Sequence, residues 1–281
     1  MPLLGLLTAC ERAVLNPAGD VARQQRDIIY ISTGMMLLII VPVIILIVLF
    51  AFRYRKGGRG TYDPDFDHST GLELAIWSAP LLIIIALGAL TWSSTHLLDP
   101  FRPLATREGE TTLVVQVVSL DWKWLFIYPE EGIATINELA LPVNRPVRFD
   151  ITSSNMMNTF YAPTLAGMIY SMPGMRSQMH AVLRRTGDFD GYSGNYSGRG
   201  FSDMHFTLKG VDEAGFARWI GESRNSSRPL ALETYRELLK PSERVPVMRF
   251  ASVDRDLFRR IVERCVEPGA ACMSETMRHH P

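Results

Sequence analysis

The chain has 281 residues, with 29 Lys+Arg against 29 Asp+Glu, so its formal charge is zero. Two stretches, 28–52 and 74–98, hold 25 residues each and no Asp, Glu, Lys or Arg, while the other 231 residues carry all 58 charges, an ordinary soluble density. This excludes a cytosolic enzyme, a disordered tail and a polytopic transporter, and a balance without a basic surplus speaks against nucleic-acid binding.

In chain order, residues 1–27 form an amino-terminal segment that contains Leu6-Leu7-Thr8-Ala9-Cys10. Apolar residues, two small residues and then Cys resemble the lipobox of bacterial lipoproteins, in which the cysteine is lipidated and the chain is cut before it. Only nine residues without Lys or Arg precede Cys10, so the basic start expected of a signal is missing. The plain alternative is a buried or unpaired thiol.

Residues 28–98 are expected to form a transmembrane hairpin with spans 28–52 and 74–98 and a loop 53–73. At ~1.5 Å per residue each span is roughly 37 Å long, enough to cross a ~30 Å hydrocarbon core. Pro42 and Pro80 are tolerated in membrane helices, and Trp77 and Trp92 stand where interfacial aromatics belong. Arg53, Arg55, Lys56 and Arg59 argue for a cytoplasmic loop, against Arg12, Arg23 and Arg26 on the other side. A lipidated Cys10 lies outside, which places the loop inside and the carboxyl-terminal part in the periplasm of a bacterial inner membrane.

From 109 the period changes. Thr112–Ser119, Trp122–Tyr128, Ile133–Leu141, Val147–Thr152 and Gln178–Leu183 read as short strands, and residues 109–210 as a β-sandwich or barrel. Residues 211–281 read as short helices and a tail: Phe216, Trp219 and Ile220 share one helical face, as do Leu232, Tyr235, Leu238 and Leu239, then Leu257, Phe258, Ile261 and Val262. Cys265 and Cys272 flank a turn-forming stretch. With Cys10 acylated, two thiols remain in an oxidising compartment, which favours a bridge. Two free thiols in a frayed tail, or a metal held with Met273, Met277, His279 and His280, are the alternatives.

Several motifs together carry a resemblance. The lipobox, the hairpin with Glu-Leu-Ala-Ile-Trp-Ser-Ala-Pro (73–80) and Asp-Trp-Lys-Trp-Leu-Phe-Ile-Tyr-Pro (121–129) are its first half. Asn-Thr-Phe-Tyr-Ala-Pro (158–163), Tyr-Ser-Met-Pro-Gly-Met (170–175) and Gly-Asn-Tyr-Ser-Gly-Arg-Gly-Phe-Ser-Asp-Met (194–204) complete it. The chain resembles subunit II of haem–copper oxidases, in the quinol-oxidising branch of the cytochrome bo type. The resemblance implies an α+β membrane protein: a two-helix hairpin, a cupredoxin-like sandwich and short carboxyl-terminal helices. In the cytochrome-c-oxidising branch the sandwich binds a two-copper centre through one early His and a Cys-x-Glu-x-Cys-x-x-x-His-x-x-Met loop. Here those positions read Asn158, Ser193, Asn195, Ser197 and Phe201, with Met204 alone retained. No Cys lies between 11 and 264, so a thiolate ligand for copper is missing from the sandwich. His180 and His205 then read as ordinary strand or surface residues, and Trp122 and Trp124 as packing residues.

The resemblance therefore implies a non-catalytic subunit without a cofactor of its own. Haems and copper would belong to subunit I, which ubiquinol would reach through the bilayer. Cytochrome c would have no role, and residues 99–281, with 22 acidic and 22 basic residues, offer no surplus to steer it. Partners would be subunit I, the other small oxidase subunits and membrane lipid. The glutamate matching Glu73 sits in the family near the entrance of a proton channel; the plain reading is a solvated carboxylate at the headgroup boundary. A membrane-anchored periplasmic lipoprotein with a binding or assembly role is the alternative function.

Overall fold

The structure, a computed structural model, describes residues 13–58, 60–61, 64–104 and 111–278. Cys10, Arg12, Arg59, His279 and His280 lie outside these. The contacts divide the chain into two units: Gln25–Asp99 is one, and the residues flanking it on both sides form the other.

The first unit contains most of helix α1 (Asp20–Arg53) and all of α2 (Thr70–Leu97). Both are long and apolar enough to cross a membrane. Helix α1 begins eight residues before the apolar run, because the polar stretch Asp20–Asp27 also forms helix, with an acid in the first turn where the helix dipole favours one. Charge-free runs mark what suits hydrocarbon, not where a helix ends.

The second unit is a two-sheet sandwich with an arm. Its strands are β1 (Leu113–Leu120), β2 (Lys123–Tyr128), β3 (Ile133–Ile136), β4 (Glu138–Pro142), β5 (Pro146–Ser153), β6 (Asn158–Tyr161), β7 (Ile169–Ser171), β8 (Ser177–Val182), β9 (Gly187–Ser193) and β10 (His205–Val211). The arm adds α3 (Glu213–Arg224), β11 (Pro229–Leu230), α4 (Leu232–Leu238), β12 (Met248–Phe250), β13 (Ser252–Val253), α5 (Leu257–Val262) and α6 (Met273–Arg278). One sheet runs β12-β3-β2-β1-β5-β8 and the other β4-β10-β9-β6-β7. The contacts β1–β5 and β4–β10 are parallel and the other pairings within these two sheets antiparallel.

Two expectations need correction. The run Ile133–Leu141 is not one strand: it breaks at Asn137, whose φ of 57° is the left-handed conformation that Asn tolerates. β3 stays in the first sheet and β4 crosses to the second. Asn137 fixes the corner, its Oδ1 accepting from Trp124 N–H at 2.8 Å and its Nδ2 donating to Val245 O at 2.8 Å. The extension after 211 is not purely helical either, since β12 pairs with β3 as an edge strand.

Sheet one is covered on both faces. Val115, Val117, Trp124, Phe126, Phe149, Phe160 and Phe206 fill the space between the sheets. Val118, Leu125, Ile127, Tyr235, Phe250, Leu257 and Phe258 fill the space beneath the arm. That is why β2 is apolar without alternation: successive residues go to different cores.

The segment before the hairpin belongs to the sandwich unit. Ala18 and Gly19 N–H donate to Thr164 O at 2.8 Å each, Ala22 N–H to Leu165 O, and Arg184 N–H to Ala18 O at 2.7 Å. Arg184 also pairs with Asp20. After the hairpin, Pro100 O accepts from His180 N–H at 3.1 Å, on the edge strand β8.

Candidate functional site

The positions that match copper ligands lie on β6, at the end of β9 and in the loop 194–204 leading to β10. Asn158 is 1% exposed, and its Oδ1 accepts from Ser193 Oγ at 3.0 Å. Asn158 Nδ2 donates to Met156 O at 3.1 Å, and Asn195 Nδ2 to Met157 O at 3.0 Å. Gly194 N–H donates to Thr159 O at 3.1 Å and Ser193 N–H to Met204 O at 3.2 Å. Met204 is fully buried, whereas Phe201 is half-buried and meets Tyr196 edge-on with ring centroids 5.7 Å apart. Ser197 Oγ is buried and has no hydrogen-bond partner among the described residues. An amide–hydroxyl pin thus ties the end of β9 to β6.

Trp122 and Trp124, alike in sequence, differ in place. Trp124 is core, edge-on to Phe160 and Phe206 at 5.6 and 5.9 Å. Trp122 lies under the loop, its Nε1 donating to Ser197 O at 3.0 Å. A Cβ on Gly200 would stand 2.5 Å from its ring, so the close approach requires glycine there. From the other side the arm clamps the same loop, through Arg199 to Glu243 at 2.8 Å and Arg244 to Asp203 at 3.1 Å. Sequence reasoning missed this clamp, because the partners are about forty residues apart.

Two buried charges fix the arm. Lys123, 1% exposed, donates from Nζ to Asp121 O at 3.2 Å, Lys240 O at 2.9 Å and Ser242 Oγ at 2.6 Å. Burial pushes its pKa down to about 8, against a smaller upward pull from Asp121. Glu138 meets Lys209 at 2.9 Å, Arg249 at 2.8 Å and Trp219 Nε1 at 2.8 Å. Burial opposes its charge, yet these partners together hold the carboxyl below its ordinary value.

Glu73 stands in the first turn of α2, half-exposed, with Oε1 2.8 Å from His68 Nδ1. The other ring nitrogen of His68 lies 3.1 Å from Thr70 Oγ1. His68, one residue before the helix cap, was not singled out in the sequence. His180 binds Pro100 O through both N–H and ring, and His205 contacts Ser202 O at 2.6 Å and the edge of Tyr192. Cys265 and Cys272 are joined in a disulfide.

The sandwich and the arm each match a family. Residues 129–211 match the family model of the cytochrome c oxidase subunit II periplasmic domain, and residues 224–269 the COX aromatic rich motif. The cytochrome bo(3) ubiquinol oxidase subunit 2 of Pseudomonas putida is 46% identical over 94% of this chain and 84% of its own length. The ubiquinol oxidase subunit 2 of Acetobacter aceti is 45% identical over 92% and 84%, and the quinol oxidase subunit 2 of Bacillus subtilis 39% over 88% and 77%. The chain belongs to the ubiquinol oxidase subunit 2 family. Among solved structures, the periplasmic domain of cytochrome oxidase subunit II of Bradyrhizobium japonicum is similar over 39% of this chain and 91% of its own, at 22% identity and a TM-score of 0.38. Membership makes this chain a quinol oxidase subunit that associates with other oxidase subunits, and the two apolar helices with a periplasmic-type domain fit an inner-membrane protein.

The family's aromatic rich motif is thus the arm that buries the outer face of sheet one. A two-copper centre does not fit the residues of the loop. Electron-transfer copper needs thiolate and imidazole, whereas two amides, two hydroxyls, a phenyl ring and a single thioether occupy these positions, and one amide and one hydroxyl already bond each other.

Proposed function

We propose that this chain is the copper-free, non-catalytic subunit II of a proton-pumping ubiquinol oxidase. It braces the haem-bearing subunit I and crosses the inner membrane twice, with the sandwich in the periplasm. The observation that carries the reading is the Asn158–Ser193 pin, a hydrogen bond in the place of a metal cross-link. Without a relay at the surface, electrons from soluble cytochrome c have no entry, while a lipid-soluble quinol reaches subunit I from within the bilayer. Haems and copper then reside in subunit I.

The hydrogen bonds of Ala18–Ala22 to the sandwich support the topology. The chain leaves the sandwich unit at residue 24 and rejoins it at Pro100, as two crossings require. Lipidation at Cys10 adds a third anchor on that side, and intact mass of the membrane-extracted chain should show loss of nine residues with added lipid; an unmodified Met1 terminus would reject it. Glu73, held by His68, is the proton-collecting group at the opposite side.

The test is oxygen uptake by the purified complex. Ubiquinol should support fast uptake and reduced cytochrome c almost none. Faster turnover with cytochrome c would overturn the reading.

A further inference from the structure

The end of the arm brings together a group of donors that the oxidase role does not use. Glu263 follows α5, Cys265 lies two residues on, and Cys272 precedes α6; one donor atom from each lies within 4.8 Å of the others. The two sulfurs are joined, with Cα atoms 4.8 Å apart. Contacts independent of that bond hold the same residues in place. Met273 N–H donates to Glu263 O at 3.0 Å, and Cys265 N–H to Arg260 O at 2.9 Å. Ser274 Oγ donates to Glu263 Oε2 at 2.9 Å, which Arg259 approaches at 3.6 Å. The Met273 side chain rests over Gly174, its sulfur 3.3 Å from where a Cβ would stand. Parting the sulfurs therefore leaves both thiols beside a carboxylate already oriented by a hydroxyl. Glu263 and Cys272 are only half-buried, so an ion can reach them.

We propose that this corner is a redox-gated cation site: a disulfide clasp when oxidised, and a two-thiolate, one-carboxylate site for zinc-class divalent cations when reduced. A dithiol reductant supplies two electrons and two protons. The Sγ–Sγ bond breaks, two thiols form, and the reductant leaves as its own disulfide. The cation then displaces both thiol protons, forming two metal–sulfur bonds, with the Glu263 carboxylate third and water completing a tetrahedron. The carboxylate selects zinc over cuprous ion, which prefers an all-soft donor set. The Ser274 hydroxyl bond to Glu263 is the kind of outer contact that orients a metal-binding carboxylate.

The test uses the full chain in detergent with Cys10→Ser, so that Cys265 and Cys272 are the only cysteines. It is compared oxidised and phosphine-reduced, with Zn2+ for stoichiometry and Co2+ for its thiolate charge-transfer band. The reduced chain is expected to take up one more zinc than the oxidised chain and to show the cobalt band. Cys272→Ser should abolish the band, and Glu263→Gln should weaken zinc binding by about tenfold or more. Equal zinc in both redox states, or cobalt without a thiolate band, would overturn the site. Reduced Glu263→Gln keeps both thiols, so an unchanged zinc affinity there overturns it even where reduction loosens the arm.

Discussion

Single residues in this chain explain more than their type announces. Lys123 stands between two tryptophans in sequence, yet its ammonium bonds three oxygens beneath the arm, two carbonyls and a hydroxyl. Its folded pKa, about 8, is below the ordinary 10.5. Between these values the unfolded chain keeps a proton that the folded chain has released, so stability rises with pH across that window and is lowest below it, by up to about 3 kcal/mol. Lys123→Met should flatten that rise, measured as unfolding of the detergent-solubilised chain from pH 7.5 to 10.5 by tryptophan fluorescence. Parallel curves for parent and variant would refute it. Glu73 is the other telling residue, half-exposed and bonded to His68. Glu73→Gln should slow quinol oxidation several-fold while haem content of the complex stays normal. Unchanged turnover would return it to a solvated carboxylate. The donor chemistry at Asn158, Ser193, Asn195, Ser197 and Phe201 is legible at this scale, because it is a property of residue type. His68 was not, since its meaning rests on a five-residue approach across a helix start.

At the scale of elements, charge-free length carried the two apolar helices and periodicity the strands β1, β2, β5 and β8 of sheet one, and it failed where one segment serves two surfaces. Ile133–Leu141 looks continuous because β3 and β4 are both fully buried, and only the positive φ of Asn137 separates them. β6 and β7 escaped the strand reading because they are short, and β9 because it is rich in Gly and Asp; β10 was missed as well, and all four are held by pairing across the sheet. The strap 16–22 was equally invisible, as its backbone bonds reach residues more than 140 positions away. It makes a sharp expectation. A Cβ on Gly19 would stand 2.1 Å from Leu165 O, so Gly19→Val should lower stability by roughly 1–3 kcal/mol, the usual cost of overpacking. Limited proteolysis should then cut before α1 in the variant and not in the parent. Equal resistance in both would mean that the strap carries no load.

For the whole molecule, two cores and a clamp hold the sandwich and its loop in place. The inner faces of the sheets hold the frame, the arm covers sheet one, and Trp122, Arg199 and Arg244 fix the loop. The amide–hydroxyl pin at Asn158 and Ser193 joins β6 to the end of β9. The central claim is that this frame transfers no electrons. Copper analysis of the purified chain in detergent, after exposure to excess copper and desalting, tests it most directly. The account expects substoichiometric copper and no purple two-copper absorption, whereas near-stoichiometric copper with that spectrum would contradict it.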